Sequence, residues 1–117
     1  MVKSTHINYV EFPARSLDTT KEFFSAVFGW DFTDYGPDYT AFSCSGINGG
    51  FYQSDQYARI SHGSALVVLY NEQLETIRET VVEYGGIVTK DIFQFPGGRR
   101  FHFTEPSGNE LAIWSDK

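Results

Sequence analysis

The chain repeats one pattern at an interval of 57 residues. The segment LDTTKEFFSAVFGW at 17–30 aligns without a gap with LETIRETVVEYGGI at 74–87. Gly29, which follows the apolar run of the first segment, falls on Gly86, and acidic, basic and apolar positions also coincide. Self-similarity at one interval indicates a supersecondary unit that is used twice. The sequence therefore predicts two copies of one module.

The first copy predicts a strand, a helix and three further strands. Residues 5–13 alternate between polar and apolar side chains, which is typical of a strand with one covered face. Ser16 is a suitable helix N-cap, and Gly29 ends the helical apolar period. Turn residues separate the three short strands that follow. These strands are predicted at 30–35, 39–45 and 48–52.

The second copy predicts the same order of elements. Asn71 is expected to cap a helix that ends near Tyr84. The strands are predicted at 65–70, 87–93, 99–104 and 110–115. The predicted fold class is therefore α+β, with two tandem β-α-β-β-β modules and the helices outside a curved mixed sheet. We expect one domain over 1–117, with modules at about 5–53 and 64–115 and a connection at 54–63 that could cover a site as a lid.

Charge and cysteine content limit the partners and the location. The 117 residues contain 9 Lys plus Arg against 15 Asp plus Glu, a net charge of −6. This charge repels phosphate backbones and anionic lipids, so we expect no nucleic-acid and no membrane partner. The single cysteine, Cys44, excludes an internal disulfide and favours a reducing, cytoplasmic location. Because Cys44 shares a predicted strand face with Phe42, we expect a buried thiol without a catalytic role.

The strand faces opposite the helices are the candidate site. Aromatic residues make up 17% of the chain, and these faces combine aromatic, apolar and ionisable side chains, as small-molecule cavities do. The predicted ligand-binding residues are Tyr9, Glu11, Tyr52, Leu66, Tyr70, Arg100, His102, Glu110 and Trp114. The alternative is a partly hydrated open sheet face.

Three segments resemble the vicinal oxygen chelate superfamily. They are VEFPARSLDTTKEFFSAVFGWDF at 10–32, GINGGFY at 46–52 and TEPSGNELAIWS at 104–115. The superfamily includes lactoylglutathione lyase (glyoxalase I), bleomycin-resistance proteins, fosfomycin-resistance enzymes, methylmalonyl-CoA epimerase and extradiol dioxygenases. The chain is most similar to the small proteins related to lactoylglutathione lyase. The resemblance implies a glyoxalase-like fold and a homodimer whose sites lie between modules of the two chains.

The resemblance also implies four positions for metal ligands. Catalytic members of the superfamily hold a divalent metal with His, Glu or Gln residues from the first and last strands of the modules. These positions correspond here to Tyr9, Gly50, Leu66 and Ala112. Leucine, glycine and alanine have no donor atom, and a neutral tyrosine is a poor ligand. We therefore expect no metal cofactor of the family type.

A displaced site is the alternative for metal binding and catalysis. Glu11, His102 and Glu110 lie on the predicted cavity face and offer one nitrogen and two carboxylates for a divalent metal. Glu11 or Glu110 could also act with His102 as general base and acid on a carbonyl substrate. The interpretation we favour for these groups is a salt bridge with Arg100. Alternatively, Arg100 could bind a substrate carboxylate with both ends of its guanidinium group.

The predicted function is metal-free binding of a small organic molecule in an aromatic and acidic cavity of a homodimer. Aromatic rings can stack on such a ligand while carboxylates neutralise its charge. One alternative is a metal-dependent lyase, isomerase or dioxygenase, in which the ion polarises a carbonyl or stabilises an enediolate. Another is a protein whose function lies in its partner contacts.

Overall fold

The computed structural model describes residues 3–117 and contains two similar modules. The first consists of β1 (Tyr9–Ala14), α1 (Leu17–Phe28), β2 (Asp31–Asp34), β3 (Tyr39–Ser43) and β4 (Asn48–Gln53). The second consists of β5 (Val67–Tyr70), α2 (Leu74–Glu83), β6 (Ile87–Phe95), β7 (Gly98–Thr104) and β8 (Glu110–Ser115). A short 3-10 helix, Ile60–His62, lies between them. The predicted α+β class and the repeated element order are confirmed.

Each module folds its four strands into one mixed sheet. The strand orders are β1-β4-β3-β2 and β5-β8-β7-β6, with a parallel pairing of the first and last strands. Val10 pairs with Gly49, and their counterparts Val67 and Leu111 pair in the same way. Over the described residues, β1 and β5 each have a strand neighbour on one side only. Both are therefore edge strands in the single chain.

Helix α1 begins and ends as its sequence predicts. The Thr19 backbone N–H donates a 3.3 Å hydrogen bond to the Ser16 hydroxyl oxygen at the N-cap. Gly29 at the C-cap has a φ of 72°, a left-handed conformation that glycine adopts without a steric penalty. Its N–H is directed to the carbonyl oxygens of Phe24 and Ser25.

Helix α2 begins later than predicted. The helix starts at Leu74, with Gln73 at the N-cap position and no side-chain cap. The Asn71 side-chain oxygen accepts a 2.8 Å hydrogen bond from the Gln73 backbone N–H. Asn71 therefore stabilises a turn before the helix, and the prediction that it caps the helix was wrong. An asparagine side chain can accept a hydrogen bond from the backbone N–H two residues ahead both at a helix N-cap and in a turn, so the sequence does not distinguish these two roles.

One hydrophobic core joins the two modules. Phe23 and Phe28 of α1 each lie with ring centroids 6.2 Å from Phe103, which belongs to β7 of the other module. The predicted helix-facing strand residues are buried or packed against this core: Val10, Phe12, Val67, Leu69, Phe101, Phe103, Leu111 and Ile113. The opposite strand faces are thereby left available for a site. None of the helices within 3–117 has the length and apolar content needed to cross a bilayer.

Cys44 is exposed, so the prediction of a buried thiol was wrong. Strand β3 ends at Ser43, and the next residue leaves the strand alternation with a φ of 64°. The thiol then donates a 3.2 Å hydrogen bond to the Asp31 carboxylate, which raises the pKa of Cys44. A raised thiol pKa lowers the thiolate fraction and hence the reactivity of the group.

The segment that connects the modules is held against the start of β8. The Ala58 N–H donates to the Asn109 side-chain oxygen at 2.8 Å, and the Ala58 carbonyl accepts from the Glu110 N–H at 2.7 Å. The Ile60 N–H donates to Glu110 Oε1 at 3.1 Å. These contacts fix the connection against β8 of the second module.

Candidate functional site

The open face of the first module carries a chain of hydrogen bonds between two tyrosines and a carboxylate. The hydroxyl oxygens of Tyr9 and Tyr39 lie 2.5 Å apart, and the Tyr39 hydroxyl donates to Glu11 Oε2 at 2.9 Å. Burial raises the pKa of Tyr39, and its bonds to Tyr9 and Glu11 raise it further. Tyr39 is therefore a neutral hydrogen-bond donor that orients the Glu11 carboxylate.

Gly50 makes room for this chain of hydrogen bonds. Glu11 pairs with Gly50 in the parallel register, and a Cβ atom added at Gly50 would overlap the Tyr39 hydroxyl. The phenol thus occupies the space that a side chain at position 50 would need. A metal ligand at that position and the observed position of Tyr39 are mutually exclusive.

A groove of about 680 Å³ opens beside this network, and we call it the acidic groove. It lies between the ends of β1 and β4 and the connecting segment. Its polar and aromatic lining includes Glu11, Tyr52, Asp55, Tyr57 and His62. Two carboxylates and exposed tyrosine rings favour aromatic or cationic ligands at this groove.

The open face of the second module holds a buried histidine next to a carboxylate. His102 Nδ1 lies 3.4 Å from Glu110 Oε2, and both side chains are nearly buried. Burial lowers the pKa of His102, while the neighbouring Glu110 opposes that change. The imidazole is therefore neutral at pH 7, with Nδ1 as the donor to Glu110. Nε2 has no hydrogen-bond partner within the described residues and carries the basic lone pair.

Arg100 lines a second, smaller depression of about 300 Å³. We call it the arginine pocket, and it is formed by Val68, Phe95, Gly97, Arg100 and Trp114. Glu110 contacts His102, and Glu11 contacts Tyr39. Over residues 3–117, no carboxylate forms a salt bridge with Arg100. The salt bridge that we favoured for these glutamates was therefore wrong, because each is engaged elsewhere.

The predicted site residues divide between the two modules. Glu11 and Tyr52 line the acidic groove, and Tyr9 joins it through Tyr39. Arg100 and Trp114 line the arginine pocket, with the Tyr70 ring 5.0 Å from that of Trp114. The remaining predicted residues are the contact pair His102 and Glu110, and the half-buried Leu66. The single chain therefore presents two partial surfaces.

Sequence reasoning missed Tyr39 as a site residue. The signal for Tyr39 was Gly50 on the neighbouring strand. Ala41 is the register partner of Gly50, so Tyr39, two residues earlier on β3, lies diagonally across from Gly50. Reading that signal required the register of β3 against β4, which the sequence alone does not provide. Asp55 and Tyr57 were missed because their segment has no strand or helix periodicity.

The fold and the site define a protein of paired β-α-β-β-β modules with an open concave surface on each. The chain matches the model of the Glyoxalase/Bleomycin resistance protein/Dioxygenase superfamily over residues 6–113, and it belongs to that superfamily. The family predicted from the three sequence segments is thus confirmed. No curated protein matches the chain significantly.

Solved structures share the fold at low sequence identity. A glyoxalase-related enzyme from Fulvimarina pelagi has a TM-score of 0.78 at 15% identity, covering 94% of this chain and 87% of that one. A glyoxalase/bleomycin resistance protein/dioxygenase family enzyme from Burkholderia phytofirmans has a TM-score of 0.79 at 13% identity, covering 94% and 98%. A mutant of the fosfomycin resistance protein FosX from Listeria monocytogenes, complexed with Mn(II) and 1S,2S-dihydroxypropylphosphonic acid, has a TM-score of 0.78 at 14% identity, covering 97% and 91%.

The residues of this chain do not fit a metal at the positions that the family resemblance implies. The side chains of Gly50, Leu66 and Ala112 have no donor atoms for a metal, and the Tyr9 hydroxyl is hydrogen-bonded to the Tyr39 hydroxyl. Within residues 3–117, no three His, Cys, Asp or Glu side chains are grouped as a metal site. The alternative set of Glu11, His102 and Glu110 is accordingly not assembled within one chain.

Proposed function

We propose that the protein binds a small organic molecule, with the rings of Tyr9 and Tyr39 and the Glu11 carboxylate beside the first-module positions that hold metal ligands in its catalytic relatives. The observation that carries this proposal is the Tyr9–Tyr39–Glu11 network above Gly50. It supplies a hydrogen-bond acceptor and tyrosine rings at the centre of the first module's open face. Such groups bind cationic or aromatic compounds without a metal.

We further propose that the complete cavity forms in a homodimer. The edge strands β1 and β5 flank an apolar groove of about 480 Å³ between the modules, whose lining includes Val10, Phe42, Ile47 and Tyr70. Open edges and apolar grooves are surfaces that a second chain can cover. In the dimer, the acidic groove of one chain faces the arginine pocket of the other.

For a homodimer we expect analytical ultracentrifugation to give twice the mass of the 13.3 kDa chain. Ile47→Lys places a charge in the apolar groove at a residue that is 46% exposed, so we expect it to shift the protein toward monomer without unfolding it. Ile87→Lys is the matched control, since Ile87 is 66% exposed on β6 at the opposite sheet edge. A monomeric wild-type protein at all concentrations in analytical ultracentrifugation would refute the dimer.

Binding of a cationic aromatic probe tests the ligand-binding proposal. We expect benzyltrimethylammonium to bind the wild-type protein in isothermal titration calorimetry, and Glu11→Gln and Trp114→Ala each to weaken it about tenfold, through lost charge and lost ring contact. Glu79→Gln, on the exposed surface of α2, is the charge-matched control. Unchanged affinity in both site variants, with far-UV circular dichroism showing an intact fold, counts against this cavity.

Metal analysis separates this proposal from the lyase, isomerase or dioxygenase alternative. The protein is purified without a histidine tag and titrated with Zn²⁺, Ni²⁺, Mn²⁺ and Fe²⁺, in parallel with His102→Ala. We expect no stoichiometric binding, because Gly50, Leu66 and Ala112 offer no donor atoms at the positions that the family resemblance gives to metal ligands. Stoichiometric metal that is lost in His102→Ala would overturn our proposal and establish the displaced site.

A further inference from the structure

Arg100 is a half-buried cation that has no acidic partner in the part of the chain that the structure describes. Over residues 3–117, its guanidinium group forms no ion pair, and its Nε is buried without a hydrogen-bond partner. Its Cζ atom lies 5.4 Å from the Phe93 ring centroid and 5.6 Å from that of Phe95. Aromatic faces hold a guanidinium in place but do not neutralise its charge. The planar guanidinium group of Arg100 therefore remains available to an anion.

Two other arginines of the second module are paired with carboxylates. Arg99, one residue earlier on β7, forms a salt bridge with Glu75 of α2 on the other face of the sheet. Arg78 of α2 pairs with Asp91, with Nε and Oδ1 2.8 Å apart. The chain contains 15 acidic residues, so a lack of carboxylates does not explain why Arg100 is unpaired. Arg59 also forms no ion pair within the described residues, but its Nε donates to the Gly108 carbonyl oxygen at 3.0 Å, whereas the buried Nε of Arg100 has no partner there.

Other groups around Arg100 also favour a negative ligand. Lys90 Nζ lies 4.2 Å from the centroid of the same Phe93 ring and forms no ion pair within the described residues. His102, two residues along β7, is neutral and does not compensate the positive charge. Two nearby carboxylates are engaged elsewhere: Glu110 by His102 and by the Ile60 N–H, and Asp116 by the Tyr70 hydroxyl. Lys90 and Arg100 thus place two cations without ion pairs, within the described residues, around the Phe93 ring.

The pocket beside the guanidinium is apolar and of fragment size. Val68, Phe95 and Trp114 form its walls, and its volume is about 300 Å³. A carboxylate that accepts two hydrogen bonds from an arginine fork leaves the rest of its molecule directed away from the guanidinium plane. An aromatic ring attached to that carboxylate can then contact Trp114 and Phe95.

We propose that Arg100 binds the carboxylate of a small aromatic acid, whose ring occupies the arginine pocket against Trp114. This inference rests on the proposed ligand-binding function and adds the chemical class of one end of the ligand. The acidic groove contacts a cationic or hydrogen-bonding end, and the arginine pocket contacts the carboxylate. Arg100 thus makes the binding surface selective for acids over neutral compounds of the same shape.

Three probes that share a phenyl ring test the assignment: benzoate, benzamide of nearly the same shape, and the cation benzylammonium. Binding is followed through the indole N–H signal of Trp114 in ¹H–¹⁵N NMR spectra, assigned with Trp30→Phe because the chain has two tryptophans. At probe concentrations up to about 10 mM, suitable for so small a ligand, we expect benzoate to bind about tenfold more tightly than benzamide. Arg100→Gln should remove this preference, and Arg99→Gln should retain it.

The outcomes separate the two proposals. Equal affinities for benzoate and benzamide, or a preference that persists in Arg100→Gln, would overturn the carboxylate assignment. If benzylammonium alone binds, the carboxylate subsite is refuted while the ligand-binding function stands. If none of the three probes binds the wild-type protein and benzyltrimethylammonium does not bind either, both proposals fail. Loss of benzoate preference in Arg99→Gln as well would show that the effect comes from net charge.

Discussion

Replacing Phe24 with alanine is expected to lower the free energy of unfolding by about 3–5 kcal/mol, the usual cost of removing a fully buried aromatic ring. Phe24 is completely buried in α1, and its ring stacks on Trp30 with centroids 4.8 Å apart. Phe51 and Phe23 lie at 5.1 and 5.2 Å. The surrounding rings belong to different elements, so they cannot collapse into the cavity together.

Urea denaturation followed by circular dichroism measures this loss. Tyr35→Ala is the control, because Tyr35 is 66% exposed and its removal should change stability by about 0.5 kcal/mol or less. A loss below about 1 kcal/mol for Phe24→Ala would contradict the packing described for the core. Since one to several kcal/mol is a large share of the stability of a domain this size, partial unfolding at 37 °C is a further expected result.

Replacing Glu105 with glutamine is expected to remove a pH-dependent loss of stability near neutrality. Glu105 follows β7 and is 2% exposed, with Oε1 accepting from the Asn109 N–H at 2.9 Å and Oε2 without a partner within the described residues. Burial raises the pKa of this carboxyl from 4.5 to about 7. The folded protein therefore binds a proton that the unfolded chain has already released.

The sign of the effect follows from this difference in bound protons. Between pH 4.5 and about 7 the folded state holds more protons at Glu105, so the free energy of unfolding falls as the pH rises. The total loss is about 3 kcal/mol and is complete above the folded pKa. Glutamine cannot ionise, so the variant lacks this loss. His102, whose pKa is lowered by burial, contributes a slope of the opposite sign in both proteins.

The measurement is therefore a difference between the two proteins. Urea denaturation from pH 5 to pH 8.5 should show the stability of Glu105→Gln rising relative to the wild type across the window. Glu83→Gln, at an exposed position in α2, should run parallel to the wild type. A constant difference between Glu105→Gln and the wild type at every pH would show that Glu105 titrates near its ordinary value.

Much of the architecture was predictable because it depends on neighbours along the chain. The 57-residue repeat, the Ser16 cap and the left-handed Gly29 all follow from local patterns. The inward faces of the strands also followed from alternation, because a residue and its second neighbour point the same way. Where the local pattern ended, as at Cys44 just beyond β3, the same reasoning assigned burial to an exposed side chain.

The sequence by itself determined the paired modules, the superfamily and the lack of donor atoms at Gly50, Leu66 and Ala112, because identity and spacing along the chain are sufficient for each. Only the tertiary structure decided what occupies the site instead. Tyr39 reaches Glu11 and covers Gly50 from a neighbouring strand, and Arg100 contacts aromatic rings but no carboxylate of residues 3–117. Such contacts depend on strand register and on charges that are distant in sequence, since a side chain's partners are set by the fold and not by its neighbours along the chain.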